Sequence, residues 1–345
     1  MPRKPHILLI YTGGTIGMIE NPETKTLEPF DFSHLIDNVP KLKKLDYVID
    51  NIQFDPPIDS SDMSPDHWKE IAHAIDDNYT AYDGFVVLHG TDTMAYTASG
   101  LSFMLDNLDK PVIITGSQLP IGEVRTDGEE NLITAVQIAA MTDSEGMPMV
   151  QEVAILFENY LWRGNRSTKM SADNFDAFKS NNYPPLATIG LGIKFHRDAL
   201  WRSRGNRPLQ VCYDLDPAVM FLDLFPGISP ERFEYMLHTP GIKGIVLKTY
   251  GAGNAPTSAW FTKALKEAVD RGIVVVNVTQ CVNGGVNDKR YAAGMGLYTA
   301  GVISGHDLTS EAAITKLMHL FGRGLSSADV RRFMERDLCG ELTVK

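Results

Sequence analysis

Along most of the chain, short apolar runs alternate with amphipathic segments. Ile7–Tyr11, Phe85–Leu88, Val112–Ile114 and Val153–Phe157 are unbroken apolar runs. They are too short for buried helices and well sized for strands covered on both faces of a parallel sheet. Tyr47–Phe54 alternates instead and reads as a half-buried strand. Between the runs the period changes to that of a helix. Trp68, Ile71, Ala72 and Ile75 follow Ser64-Pro65-Asp66, a start signal of cap, first-turn proline and acidic residue. Ala98, Leu101, Leu105 and Leu108 line one side of a helix after Thr93, and Leu132, Ile133, Val136 and Ala140 one side of a helix at about Glu129–Met141. A weaker helix is predicted over Asp31–Leu45, broken by Pro40, and Glu158–Ser171 reads as a polar loop.

The alternation stops between His196 and Pro217, where Arg197, Arg202, Arg204 and Arg207 surround Gly205, Asn206 and Pro208, with a short strand at Leu209–Tyr213. It then resumes: strands at Met220–Phe225, Gly244–Lys248 and Ile273–Val276, helices opened by Ser229, Ser258, Thr309 and Ser326. The fold class expected is α/β, with two doubly wound domains. Residues 1–196 form the larger, catalytic domain, 197–217 a linker, and 218–345 the smaller domain.

The chemistry gathers where the apolar runs end. Ile7–Tyr11 stops at Thr12-Gly13-Gly14-Thr15, Phe85–Leu88 at His89-Gly90-Thr91-Asp92-Thr93, and Val112–Ile114 at Thr115-Gly116-Ser117-Gln118. Parallel strands present their carboxyl ends along one edge, the edge at which open α/β sheets bind ligands. Thr15 is read as a nucleophile; the plainer alternative is a threonine that caps its turn. Met18–Pro29, polar with two prolines, is either a flap over this edge or a solvated loop.

Composition narrows the field. With 345 residues and 43% hydrophobic content the chain can bury a full core. A net charge of −11 opposes nucleic acid or an anionic membrane as partner. Three scattered cysteines without a CxxC, and no signal peptide or membrane-length apolar run, point to a cytoplasmic protein. No HExxH, zinc-spaced Cys/His cluster, GxGxxG or P-loop ending is present, so neither metal nor phosphate chemistry is indicated. His89 reads as a packed strand-end histidine before it reads as a base, and Cys281 as inert packing before a thiol nucleophile. Hydroxyl chemistry remains. A threonine hydroxyl needs a base, and a lysine serves where its surroundings favour the free amine. Lys169, beside Ser167 and Thr168, is either that base or a surface lysine. Asp92 is placed to steer it or to hold a substrate ammonium.

Thr12-Gly13-Gly14-Thr15-Ile16-Gly17 and His89-Gly90-Thr91-Asp92-Thr93 resemble the two signature stretches of the bacterial-type L-asparaginase family. Asp59-Ser60-Ser61-Asp62, Thr115-Gly116-Ser117-Gln118, Arg163-Gly164-Asn165-Arg166-Ser167-Thr168-Lys169, Tyr250-Gly251-Ala252-Gly253-Asn254 and Asn277-Val278-Thr279-Gln280-Cys281 extend the likeness over the whole chain. In having no leader it looks most like the cytoplasmic, type I members. The resemblance implies hydrolysis of asparagine through a Thr15 acyl-enzyme, with Thr91, Asp92 and Lys169 moving protons. Asp92 would also bind the substrate's amino group, Asp59, Ser60 and Ser61 its carboxylate side, and Ser117 the leaving amide through backbone. No cofactor is implied, and a homodimer or homotetramer is expected. Some members carry a second, regulatory asparagine site, here at Lys248, Thr279 and Cys281; Lys248 stands where those members have arginine and lacks its bidentate fork. The usual flap tyrosine is missing near Thr26-Leu27-Glu28. A mixed glutaminase–asparaginase and a non-catalytic amino-acid sensor are the competing readings.

Overall fold

The computed structural model describes residues 3–20, 24, 27–29, 39–203, 207–286 and 292–343. The chain forms two units, Met1–Tyr213 and Asp214–Lys345.

The first unit is built on an eight-stranded sheet. From edge to edge its strands are Ile193–Phe195, Ala187–Ile189, Tyr160–Arg163, Val153–Phe157, Val112–Thr115, Gly84–Leu88, His6–Tyr11 and Val48–Gln53. The last five in this order run parallel to their neighbours, and the first three join antiparallel. The unbroken apolar runs are the central strands, and every side chain of Phe85–Leu88 is fully buried. Burial on both faces explains why these strands are uniformly apolar, each large side chain contributing roughly 1.5–3 kcal/mol. The edge strand Val48–Gln53 has no fully buried residue, which is why it mixes polar and apolar side chains.

Helix Pro65–Asn78 buries Trp68, Ile71, Ala72 and Ile75, the four residues its spacing predicted. Pro65 sits in the first turn after Ser64, whose N–H donates to His67 Nδ1 at 3.2 Å. Three readings need correction. The helix after Thr93 ends at Met104, so Leu105 and Leu108 lie beyond it, Leu105 in a two-residue strand. It is buried on nearly all sides, so an amphipathic stripe was the wrong template. The Glu158–Ser171 stretch is not a loop: Tyr160–Arg163 turns back antiparallel on Val153–Phe157, and Thr168–Lys169 pairs with Phe178–Lys179. The predicted helix over Asp31–Leu45 falls mostly on residues 30–38, outside the described residues, and Pro40–Lys44 forms a 3-10 turn.

Within 197–213, Arg197–Ala199 forms a 3-10 turn, Gln210–Val211 pairs with Leu105–Asp106, and the Tyr213 hydroxyl donates to Asp76 Oδ2 at 2.6 Å. Arg163 and Glu152, both buried and 2.6 Å apart, tie down the preceding segment: Arg163 donates to the Ala199 carbonyl and Glu152 accepts from the Trp201 N–H.

The second unit is a parallel four-stranded sheet, ordered Val219–Asp223, Gly244–Thr249, Val274–Thr279, Ile303–Ser304. Ser229, Thr309 and Ser326 each accept a backbone N–H at a helix start, as their positions predicted. No helix among the described residues is long and apolar enough to cross a membrane.

Candidate active site

The first unit's sheet delivers four chain segments to one place, and glycines let them touch. After His6–Tyr11 the backbone turns at Gly13 and Gly14, with φ of 138° and 91°, into the 3-10 turn Thr15–Gly17. Side-chain-bearing residues rarely adopt such angles. A Cβ on Gly14 would stand 2.5 Å from Gly90 N and 2.6 Å from Gly90 Cα. One on Gly13 would strike the Ile58 carbonyl, one on Gly116 the His89 carbonyl, and one on Gly90 would lie 2.5 Å from Ser60 Oγ. The turns carrying Thr15, Ser60, Thr91 and Ser117 therefore pack backbone to backbone. Hydrogen bonds seal them: Thr12 N–H and Oγ1 both donate to the Leu88 carbonyl at 3.0 and 2.9 Å, and Thr93 Oγ1 donates to the Ser60 carbonyl at 2.6 Å.

Lys169 reaches this place from the short strand Thr168–Lys169. Its Nζ donates to Thr91 Oγ1 at 2.8 Å and to Asp92 Oδ1 at 2.7 Å. The lysine side chain is 18% exposed, whereas Asp92 is 66% exposed. A hydroxyl, an amine and a carboxylate thus form one connected group beside the Thr15 turn. Thr15 and Thr91 are half-buried.

Asp59 caps the turn Ser60–Asp62. Its Oδ1 accepts the Ser61 N–H at 2.9 Å and the Ser61 hydroxyl at 2.8 Å. These two bonds, the backbone one foremost, hold its carboxyl below the usual range. Ser60 is buried next to Gly90, and Ser61 is exposed. Ser117 is buried and its hydroxyl donates to the Leu119 carbonyl at 2.6 Å.

Two side chains that the sequence did not single out hold the Ser117 turn. The Asp127 carboxylate accepts from the N–H groups of Gln118 and Leu119, and Asn131 Nδ2 donates to the Gly116 carbonyl at 3.0 Å. The signal was an aspartate immediately before a helix, next to a turn of small residues. His89 is fully buried, as its position at the end of an apolar strand implied. Burial pushes its pKa down to about 4.

The second-unit residues form a separate cluster at the carboxyl ends of three parallel strands. Lys248 pairs with Asp223 at 3.2 Å, Thr279 Oγ1 donates to the Gly251 carbonyl at 2.5 Å, and Cys281 is exposed with its N–H on Thr279 Oγ1. Lys248 Nζ thus faces the carboxylate of a neighbouring strand across a solvent-exposed pair. Of Met18–Pro29, Met18–Glu20 pairs antiparallel with Leu27–Pro29; Thr26 lies outside the described residues. Among the described residues no group of three or more His, Cys, Asp or Glu could hold a metal ion.

Known proteins match nearly the whole chain in sequence and overall fold. The family model for the N-terminal domain of asparaginase matches residues 6–201, and that for the glutaminase/asparaginase C-terminal domain matches 218–334. The chain belongs to the asparaginase family. L-asparaginase 1 of Escherichia coli K12 is 44% identical over 344 residues, covering 99% of each chain. The crystal structure of L-asparaginase I from Vibrio cholerae superposes with a TM-score of 0.90 at 41% identity, covering 99% of this chain and all of that one. The thermostable L-asparaginase of Thermococcus kodakarensis gives 0.88 at 34% identity, with 99% of this chain and 100% of that one covered. The two-domain α/β architecture described above is that of this family.

Proposed function

We propose that this protein hydrolyses L-asparagine to L-aspartate and ammonia in the cytoplasm, as a homo-oligomer, without a cofactor. The observation that carries the reading is the joined group of Lys169, Thr91 and Asp92, assembled from segments 77 residues apart. It sits against the Thr15 turn through the Gly14–Gly90 contact. Thr15 Oγ1 attacks the side-chain carboxamide carbon and its proton passes to the Thr91–Lys169 pair. The C–N bond breaks, ammonia leaves with that proton, and a Thr15 ester remains. Water then attacks the ester under the same pair, releasing aspartate and restoring the hydroxyl. Backbone N–H groups at the glycine turns stabilise the oxyanion, each donor worth about 3 kcal/mol.

Ser60 and Ser61 hold the substrate's α-carboxylate. Asp59 acts through Ser61, since an ionised carboxylate already bonded to that hydroxyl repels a second carboxylate. Asp92 binds the α-amino group, and the Ser117 backbone meets the leaving amide. Glutamine differs by one methylene, worth ~1–3 kcal/mol of discrimination. Ammonia release from both amides, measured side by side, ranks them. Lys248, Thr279 and Cys281 form a second asparagine site; an unchanged hyperbolic rate curve in Cys281→Ala removes that part. The test of the central reading is Thr15→Ala. Turnover falls by several orders of magnitude with folding intact, and full turnover refutes Thr15 as nucleophile.

A further inference from the structure

His89 lies one residue from the Gly14 contact and two from Thr91, yet is closed to solvent. Its ring is fixed at both ends. Nδ1 lies 2.6 Å from the Gly90 carbonyl, and Nε2 lies 2.8 Å from Thr97 Oγ1. Thr97 Oγ1 in turn accepts from Trp68 Nε1 at 2.9 Å. Only one proton arrangement satisfies all four groups. A carbonyl can only accept, so Nδ1 carries the hydrogen. An indole N–H can only donate, so the Thr97 hydroxyl spends its own proton on a bare Nε2. A second ring proton would set two N–H donors against Thr97 and leave its hydroxyl hydrogen without a partner. All three side chains are buried, where such a mismatch is costly.

The consequence falls on the next peptide. In a planar trans peptide the Gly90 C=O and the Thr91 N–H point opposite ways. The imidazole holds the carbonyl inward, so the Thr91 N–H points away from it. Among the described residues none accepts from that N–H. We infer that His89 is a positioning residue for amide hydrolysis, its Nδ1–H locking the Gly90–Thr91 peptide so that the Thr91 N–H is available to the developing oxyanion. Trp68 and Thr97 set the tautomer. This rests on the hydrolase reading above, and deepens it by naming what orients one oxyanion donor.

Nitrogen-15 NMR of histidine-labelled protein at neutral pH tests the proton placement directly. His89 is assigned by its loss in His89→Asn. A hydrogen on Nδ1 with bare Nε2 is expected; the opposite tautomer or an imidazolium overturns the inference. Steady-state kinetics test the consequence. His89→Gln puts its amide near the Nε2 position and loses the Nδ1 donor; kcat falls ~10²-fold, as for a lost oxyanion donor, with KM for asparagine nearly unchanged. His89→Asn restores an N–H at the Nδ1 position, and its kcat recovers to within about tenfold of wild type. Equal losses in the two variants, or losses confined to KM, overturn the inference. Should His89→Gln fail to fold, the wild-type spectrum still decides. Failure of the hydrolase reading looks different: no ammonia from wild type, whatever the tautomer.

Discussion

Lys169→Met separates chemistry from scaffolding at the site. The substitution keeps the length of the stem and removes the Nζ group that bonds to Thr91 Oγ1 and Asp92 Oδ1. The stability cost is set by what is left behind. Asp92 is 66% exposed and regains water when its partner leaves, so the ion pair is worth ~0–1 kcal/mol on folding. At the 2–4 °C per kcal/mol usual for chains of this size, Tm moves by no more than about 4 °C. The catalytic cost is set by proton transfer through Thr91, for which a positioned acid–base contributes ~10²–10⁴-fold. A fall of ~10³ in kcat/KM, about 4 kcal/mol of transition-state stabilisation, is expected. Lys169→Arg discriminates further. It restores the charge but cannot release a proton at neutral pH, so a purely electrostatic lysine is rescued and a proton-transferring one is not. The assay is ammonia release, run beside thermal unfolding. Turnover within tenfold of wild type in Lys169→Met, rescue by arginine, or a Tm loss above 10 °C refutes the reasoning.

Three further outcomes are expected. Gly14→Ala forces a Cβ against the Gly90 backbone at a φ of 91°; it costs at least ~2 kcal/mol of stability and ~10²-fold in kcat, read by denaturant titration and the same assay. Lys316→Met leaves Glu341 buried without its 2.6 Å partner and costs ~3–5 kcal/mol; adding Glu341→Leu recovers only part of it in calorimetry, because the Leu338 and Cys339 N–H groups then lose the carboxylate. Burial holds His89 near pKa 4 in the folded state against about 6.5 when unfolded, so the unfolded chain binds the extra proton between those values. His89 therefore favours folding above pH 6.5, and that contribution is lost as pH falls from 6.5 to 4. His89→Asn flattens this limb by an amount on the order of 3 kcal/mol, measured as ΔG of unfolding against pH.

The sequence made the central strands and their active ends plain, because burial on both faces leaves only apolar residues and parallel strands end on one edge. Thr15, Thr91, Asp92 and Lys169 were all readable as chemistry-bearing residues. That the strand ends share one edge was readable too; how tightly the turns pack there was not, because it depends on Gly13, Gly14, Gly90 and Gly116 admitting neighbouring backbones, and glycine says only that a close approach is tolerated. The antiparallel extension through Tyr160–Arg163 was not legible because the apolar part is only a few residues long and runs directly into the polar Gly164-Asn165-Arg166; buried partners such as Glu152 for Arg163 complete the strand. The helix Met94–Met104 was given an apolar stripe because period analysis cannot recognise a helix buried on all sides. Asp127 and Asn131 carry no motif, and only their bonds to the Ser117 turn reveal them.

One crystal soaked with L-aspartate tests the account most directly. The product is expected in the first unit, its α-carboxylate on Ser60 and Ser61, its amino group on Asp92, and its side-chain carboxylate between Thr15 Oγ1 and Thr91 Oγ1. Aspartate found only at Lys248, Thr279 and Cys281, with the Thr15 turn empty, contradicts it.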